Sequence, residues 1–192
     1  MKYDSNKITI RDAVASDADL ITKAIVMAIG EDMAIKYCGQ DYLTVMNEII
    51  KTSGTQFYYH NALIAEVENI PAGAVIGYDG GLLKQLKDKT FSVINKYHSE
   101  LEPSGAETGE GEFYLDSIGV LPQFRGYGVG SKLLTAMCEK AFSLGHRVVG
   151  LSVDNENPAA ERLYVGIGFK CVGEQTFLGH TLKHLQITER LS

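Results

Sequence analysis

The chain of 192 residues contains no run of basic side chains, and its formal charge at pH 7 is −6. A protein that neutralises phosphates needs a basic face, so this balance argues against a nucleic-acid ligand. An acidic chain suits a cationic amine better. Long apolar runs are absent too: none approaches the roughly 18 residues that a spanning helix requires, and the opening MKYDSNK lacks the apolar stretch of a secretory signal. No membrane segment is therefore expected, and the cytoplasm is the expected compartment. Cysteine is scarce. Cys38, Cys138 and Cys171 are far apart, odd in number and outside any metal-ligand spacing, which disfavours a disulfide framework and predicts three buried thiols. No internal repeat, low-complexity tract or linker composition divides the chain. With 45% hydrophobic residues, residues 1–192 are expected to form one domain around one core.

What is present reads as alternating strands and helices. ITIRDA alternates like a strand, and Ser16 with Asp19 marks the start of a helix carrying Leu20, Ala24 and Met27. DYLTVMNEII predicts a second helix. NALIAEV and AGAVIGY are two apolar strands joined through Glu68 to Pro71 as a hairpin. From Leu82 to Tyr97 the spacing of Leu83, Leu86, Phe91 and Ile94 predicts one or two short helices, and SELEPSGAETGEGE reads as an acidic loop. Residues 82–111 together look like an insertion.

The second half is more regular. FYLDSIGV is a strand, and GVGSKLLTAMCEKAF is a helix with Leu133, Leu134, Met137, Cys138 and Ala141 on one stripe. HRVVGLSV is another strand. Asn157-Pro158 starts a further helix, because Asn caps free amides and Pro loses nothing at the first helical position. FKCVGEQTF and TLKHLQIT then predict two antiparallel strands.

The glycine cluster QFRGYGVG, residues 123–130, lies between a strand and a helix. That arrangement aims several backbone N–H groups and the positive end of a helix at one point, which suits a pyrophosphate. Glycine is needed where a Cβ would block the approach, or where φ is positive. Such turns also serve merely as connections. A Walker loop is excluded, since no Gly-Lys-Ser/Thr closes the turn and Ser131-Lys132 follows Gly130 in the wrong order. A dinucleotide fingerprint fits poorly, because Ser131 stands where the third small residue belongs and the turn lies two-thirds of the way along the chain.

The segment resembles the acetyl-CoA loop of the GNAT superfamily of N-acetyltransferases, whose pattern is Gln/Arg-x-x-Gly-x-Gly/Ala. Two overlapping registers satisfy it, Gln123-x-x-Gly126-x-Gly128 and Arg125-x-x-Gly128-x-Gly130. SIGVLPQ before the loop and NENPAAERLYVGIGF after it match the same family, so the resemblance covers about residues 112–172. It implies a GNAT-like α/β fold, with a mixed, largely antiparallel central sheet flanked by helices. It also implies acetyl-CoA as co-substrate and transfer of its acetyl group to a small-molecule or peptide primary amine, by direct attack in a ternary complex. A non-catalytic acyl-CoA-binding sensor of the same fold is the alternative, and a homodimer is left open.

Under the resemblance, the amides of Arg125, Gly126, Tyr127, Gly128, Val129 and Gly130 cradle the pyrophosphate, with Gln123 and Ser131 in the same turn. Gly119, inside an apolar strand, is consistent with a β-bulge that would free backbone groups of Ile118 and Val120 for the pantetheine arm and the thioester carbonyl; ordinary packing is the other reading. Tyr164 falls on the family's Leu-Tyr pair as hydrogen-bond donor to the leaving sulfur, or else anchors its helix to the sheet. Strand alternation puts Glu112, Tyr114, Asp116, Ile118 and Val120 on one face if the bulge starts no earlier than Gly119. Asp116 is then the candidate base or ammonium anchor, against the plainer reading of an Asp satisfied by loop amides. Asn157 caps its helix and, by resemblance, donates to the pantetheine. His180 and His184 have the i, i+4 spacing of a helical metal site, but the local alternation favours a strand and no metal is expected. No Ser-centred elbow or His-Asp pairing suggests hydrolysis.

Overall fold

A computed structural model describes residues 4, 7–97, 105–177 and 180–189. Among these residues seven strands, β1 (Ile8–Asp12), β2 (Ala62–Val67), β3 (Ile70–Asp79), β4 (Phe113–Val120), β5 (Val148–Asp154), β6 (Lys170–Phe177) and β7 (His180–Thr188), form one sheet. Its order is β1-β2-β3-β4-β5-β7-β6, and every neighbouring pair is antiparallel except β4–β5. The mixed, largely antiparallel sheet is thus the expected one. β2 and β3 turn through Glu68 and Asn69, whose φ values of 53° and 65° give the primed turn that matches strand twist.

Among the described residues, six α-helices cover the two faces: α1 (Ala18–Ile29), α2 (Glu31–Cys38), α3 (Tyr42–Lys51), α4 (Leu83–Ile94), α5 (Val129–Ser143) and α6 (Pro158–Ile167). Strand alternation divides the core accordingly. Ala62, Ile64, Ala74 and Ile76 join Ile21, Ile25, Ile49 and Ile50 of α1 and α3 on one side. Leu63, Ala65 and Val75 join Leu133, Leu134 and Met137 of α5 on the other. Each fully buried Leu or Ile contributes about 2 kcal/mol, so the five-residue stripe of α5, buried as predicted, holds that helix to the sheet. The sequence reading has no helix over residues 31–38. α2 is a two-turn segment between Gly30 and Gly39, both at positive φ, too short for its periodicity to stand out.

Two irregularities in β4 shape the site. Its parallel pairing with β5 covers only Phe113–Val149, Tyr114–Gly150 and Leu115–Leu151. Beyond Leu115 the strands part, and β4 keeps only its β3 partner. The second is a bulge, at Asp116 and not at Gly119: Gly77 pairs with Leu115 and Ile76 with Ser117, which leaves Asp116 as the extra residue. Gly119 is needed for packing instead, because a Cβ there would lie 2.5 Å from the Cα of Ala24 on α1.

The bulge also overturns the expected alternation. Tyr114 packs with Tyr78 and Leu83 on the α4 side, whereas Ile118 and Val120 pack with Phe113 and Leu115 against the α5 side. An extra residue in a strand reverses the facing of everything after it. The expectation of buried thiols is also corrected at one position: Cys38 and Cys138 are buried, but Cys171 is exposed on edge strand β6.

Candidate active site

The glycine turn ends in two left-handed residues, Gly126 at φ 81° and Gly128 at φ 85°, with Gly128 capping α5. A Cβ at either would meet nothing within 4 Å, so conformation and not crowding calls for glycine here. The amides of Gly126, Gly128, Val129, Gly130 and Ser131 donate to no other described residue. The last four are the unpaired donors that head any helix, here at the positive end of a 15-residue one, and Gly126 lies two residues before its cap. Arg125 does not belong with them, because its amide donates to the carbonyl of Pro122 at 3.3 Å. Its side chain lies across the end of β4, with Nε donating to the Val120 carbonyl at 3.1 Å. That carbonyl is therefore not free as expected. Gln123 is exposed in the short 3-10 turn Pro122–Phe124. Asn157 caps α6 by accepting from the Ala160 amide at 3.1 Å.

The opening between β4 and β5 is a narrow cleft of about 20 Å³, lined by Asp116, Ser117, Ile118, Leu151, Ser152 and Tyr164 among others. Tyr164 comes to it from α6, its ring edge-on to Phe169 at 6.2 Å. Its hydroxyl makes no hydrogen bond to a described residue, and burial pushes it up to about 12, so it stays protonated and able to donate at neutral pH.

Asp116 sits where this cleft meets a second space. A cavity of about 160 Å³ lies among α2, α3 and α4 on the opposite face of the sheet, and Asp116 lines both. Tyr78 donates its hydroxyl to Oδ2 at 2.6 Å, and Ser117 donates to Oδ1 at 2.8 Å. Gln56 Nε2 in turn donates to the Tyr78 oxygen at 3.1 Å. Burial pushes the Asp116 carboxyl up to about 6; the hydrogen bonds from Tyr78 and Ser117 and the charge of Lys87 oppose the shift, while that of Glu107 adds to it. Asp116 is thus satisfied by side chains of its own sheet and not by loop amides. Lys87 and Glu107 form an ion pair at 2.7 Å beside it, 10% and 11% exposed.

Tyr78, Gln56 and Glu107 carry no motif, and Ser117 stands in one only as the first residue of SIGVLPQ. The one hint is the placement of two tyrosines in apolar strands, Tyr78 and Tyr114, which pair across β3–β4. Near them Glu112 accepts from Gln186 at 2.7 Å and Thr108 at 2.6 Å and pairs with His184 at 2.9 Å. Burial works to raise its carboxyl, but these bonds outweigh it and hold Glu112 below the ordinary range. His184 is therefore a partner of Glu112 on strand β7. Among the described residues no three metal-ligating side chains converge. A larger groove of about 840 Å³ runs along the outer side of α5, but Asp12 and Lys140 there already pair at 2.7 Å, and none of the groups above reach it except Ser131.

A largely antiparallel sheet that parts beside a glycine-headed helix, with a carboxylate and a phenol at the parting, defines an α/β architecture. The chain belongs to the acetyltransferase (GNAT) family, whose sequence profile matches residues 47–169. Mycothiol acetyltransferase of Nocardiopsis dassonvillei is 34% identical over 93 residues, 47% of this chain. That match covers only 28% of the relative, so the likeness to the mycothiol enzymes extends over less than a third of their length. Thialysine N-epsilon-acetyltransferase of Bos taurus is 27% identical over 168 residues, 84% of this chain and 83% of that protein. Among solved structures, an N-acetyltransferase from Staphylococcus aureus Mu50 superposes with a TM-score of 0.80 at 28% identity, over 93% of this chain and 100% of that one. No helix among the described residues is long and apolar enough to cross a membrane.

Proposed function

We propose that this chain, as a single catalytic domain, moves an acetyl group from acetyl-CoA to a primary amine by direct attack. One observation carries the reading: Asp116 lines both the β4–β5 cleft and the cavity on the other face, so a nucleophile seated in the cavity meets a carrier laid in the cleft at a carboxylate. Acetyl-CoA, when bound, supplies an acetyl group activated as a thioester.

The residues suit that co-substrate. The five unpaired amides from Gly126 to Ser131, with Gln123, Arg125 and Tyr127 around them, offer donors and positive dipole to a pyrophosphate. Ile118 lines the cleft with Tyr164, and Val120 and Asn157 are the further positions assigned here to the pantetheine arm. Tyr164 holds its proton and can donate it as a hydrogen bond to a sulfur that gains charge.

Asp116 seats an ammonium and takes a proton from it. An alkylammonium near ~10.4 giving its proton to an ordinary carboxylate near ~3.9 goes uphill by about 9 kcal/mol. With the carboxyl at about 6, the gap narrows to about 6 kcal/mol, which is the chemical use of burying Asp116. Tyr78 and Ser117 hold both oxygens in place without neutralising them.

The test is release of free thiol from acetyl-CoA with a panel of amines, with acetylated products identified by mass spectrometry. Loss of thiol release in Asp116→Asn, with acetyl-CoA still bound, is the expected result. Tight binding of acetyl-CoA with no acetylated product from any amine would turn the reading to the sensor.

A further inference from the structure

The cavity beyond Asp116 has a polarity of its own. Along α4, Lys87 stands at one end, and Phe91 and Ile94 follow on the same stripe, with about 10 Å of helix from first to last. The Lys87 end is the charged one. Glu107 is paired there, and both groups are close enough to Asp116 to act on its ionisation. The other end is apolar: Ala34, Cys38, Met46, Ile49 and Ile94 are each 3% exposed or less. Tyr37 stands edge-on to Phe91 at 5.9 Å and, partly exposed with it, brings this end toward the surface.

Among the described residues, the charges that line the cavity are those of Lys87, Glu107 and Asp116. Lys87 and Glu107 cancel, which leaves one negative charge at Asp116 for one cation. A second ammonium among the buried Ala34, Met46 and Ile49 would lose water and find no carboxylate among the described lining residues. An α-carboxylate next to the reacting nitrogen would face Asp116, and the one cation there, Lys87, is already engaged by Glu107. The volume of about 160 Å³ is close to that of a cavity of about 150 Å³ that takes up benzene.

We propose that the acceptor is a hydrophobic monoamine, an alkyl- or arylalkylamine whose ammonium meets Asp116 and whose apolar body of about six to eight carbons fills the space among α2, α3 and α4. This rests on the acetyl-transfer reading and narrows it. It sets the chain apart from its relative named for thialysine, an amino acid.

The experiment compares n-alkylamines from butyl to decyl and phenethylamine with 1,6-diaminohexane and lysine, each with acetyl-CoA. The expected kcat/KM climbs about fourfold per methylene, peaks between six and eight carbons and then falls. The value for 1,6-diaminohexane is expected at least tenfold below that for hexylamine. Ala34→Leu should move the optimum to shorter chains with acetyl-CoA affinity unchanged. Phe91→Glu, at a partly exposed position that tolerates change better, should improve the diamine relative to the monoamine by tenfold or more. Preference for the diamine or lysine, or a rate flat in chain length, overturns this inference and leaves acetyl transfer standing. Should no amine be acetylated, transfer itself fails, and calorimetry of hexylamine on CoA-saturated protein decides the pocket. Binding that Ala34→Leu weakens supports the occupant, and no binding overturns it.

Discussion

Tyr78 donates its hydroxyl to Asp116 Oδ2 at 2.6 Å across the β3–β4 pair, at the very step where the register slips by one residue. The slip leaves Asp116 unpaired on its strand and turns its carboxylate toward the phenol. Backbone irregularity and side-chain chemistry thus coincide at one residue.

Removing that phenol should be visible in the pH profile. Its hydrogen bond pulls the Asp116 carboxyl down against burial, so Tyr78→Phe should move the acid limb of kcat/KM above pH 6 by about one unit. An unmoved limb would mean that another group governs it.

Stability should depend on the same proton. The Asp116 carboxyl is near 6 in the folded chain and 3.8 otherwise, so the folded state holds the proton more tightly. The stabilisation is complete below about pH 4 and is lost as pH rises through 6, by roughly 1–3 kcal/mol. Asp116→Asn should flatten this slope and be at least as stable as the parent at pH 7, while its turnover falls about 10²- to 10⁴-fold. Urea titrations at pH 4 and pH 7.5 compare the two slopes.

Tyr164→Phe should lower turnover about 10- to 100-fold with little change in acetyl-CoA affinity, since the ring and its contact with Phe169 remain. Equal rates for the two proteins would return Tyr164 to a packing role.

Gly128→Ala tests the anion turn. Open space surrounds the position, but φ is 85°, so the cost is about 1 kcal/mol of backbone strain and displaced amides. Acetyl-CoA affinity is expected to fall about tenfold; calorimetry that finds no change would take the turn out of the site.

Gly150→Ala addresses the polar cluster across β4, β5 and β7. A Cβ there would lie 1.9 Å from Glu112 Oε2, which forces Glu112 from His184 and Gln186. A loss of about 2 kcal/mol is expected, read as a lowered thermal midpoint, and a neutral result would show that Glu112 repacks freely.

Much of the architecture was legible because it rests on local patterns. The alternation of β1 to β7, the apolar stripe of α5 and the Asn157-Pro158 start of α6 each involve residues near one another in the chain. The same holds for the glycine turn, where the φ requirement and the helix start share eight residues. The bulge was misplaced because Gly119 offered a local reason, whereas the slip at Asp116 depends on how Gly77 and Ile76 meet a strand some 40 residues away. α2 escaped notice because eight residues cannot outweigh two flanking glycines.

By itself the order of residues determined the seven extended segments, every helix but α2, the start of α6 and where an anion could be seated, since those follow from side-chain size, backbone freedom and capping over a few residues. Folding alone decided that Asp116 opens on two spaces at once, that Tyr78 and Gln56 steady it, that Lys87 is cancelled by Glu107 and that the cavity behind them is apolar at its far end. Those relations join strands and helices far apart in the chain, and both the proton affinity of a carboxylate and the shape of a cavity come from whatever the fold brings within a few ångströms.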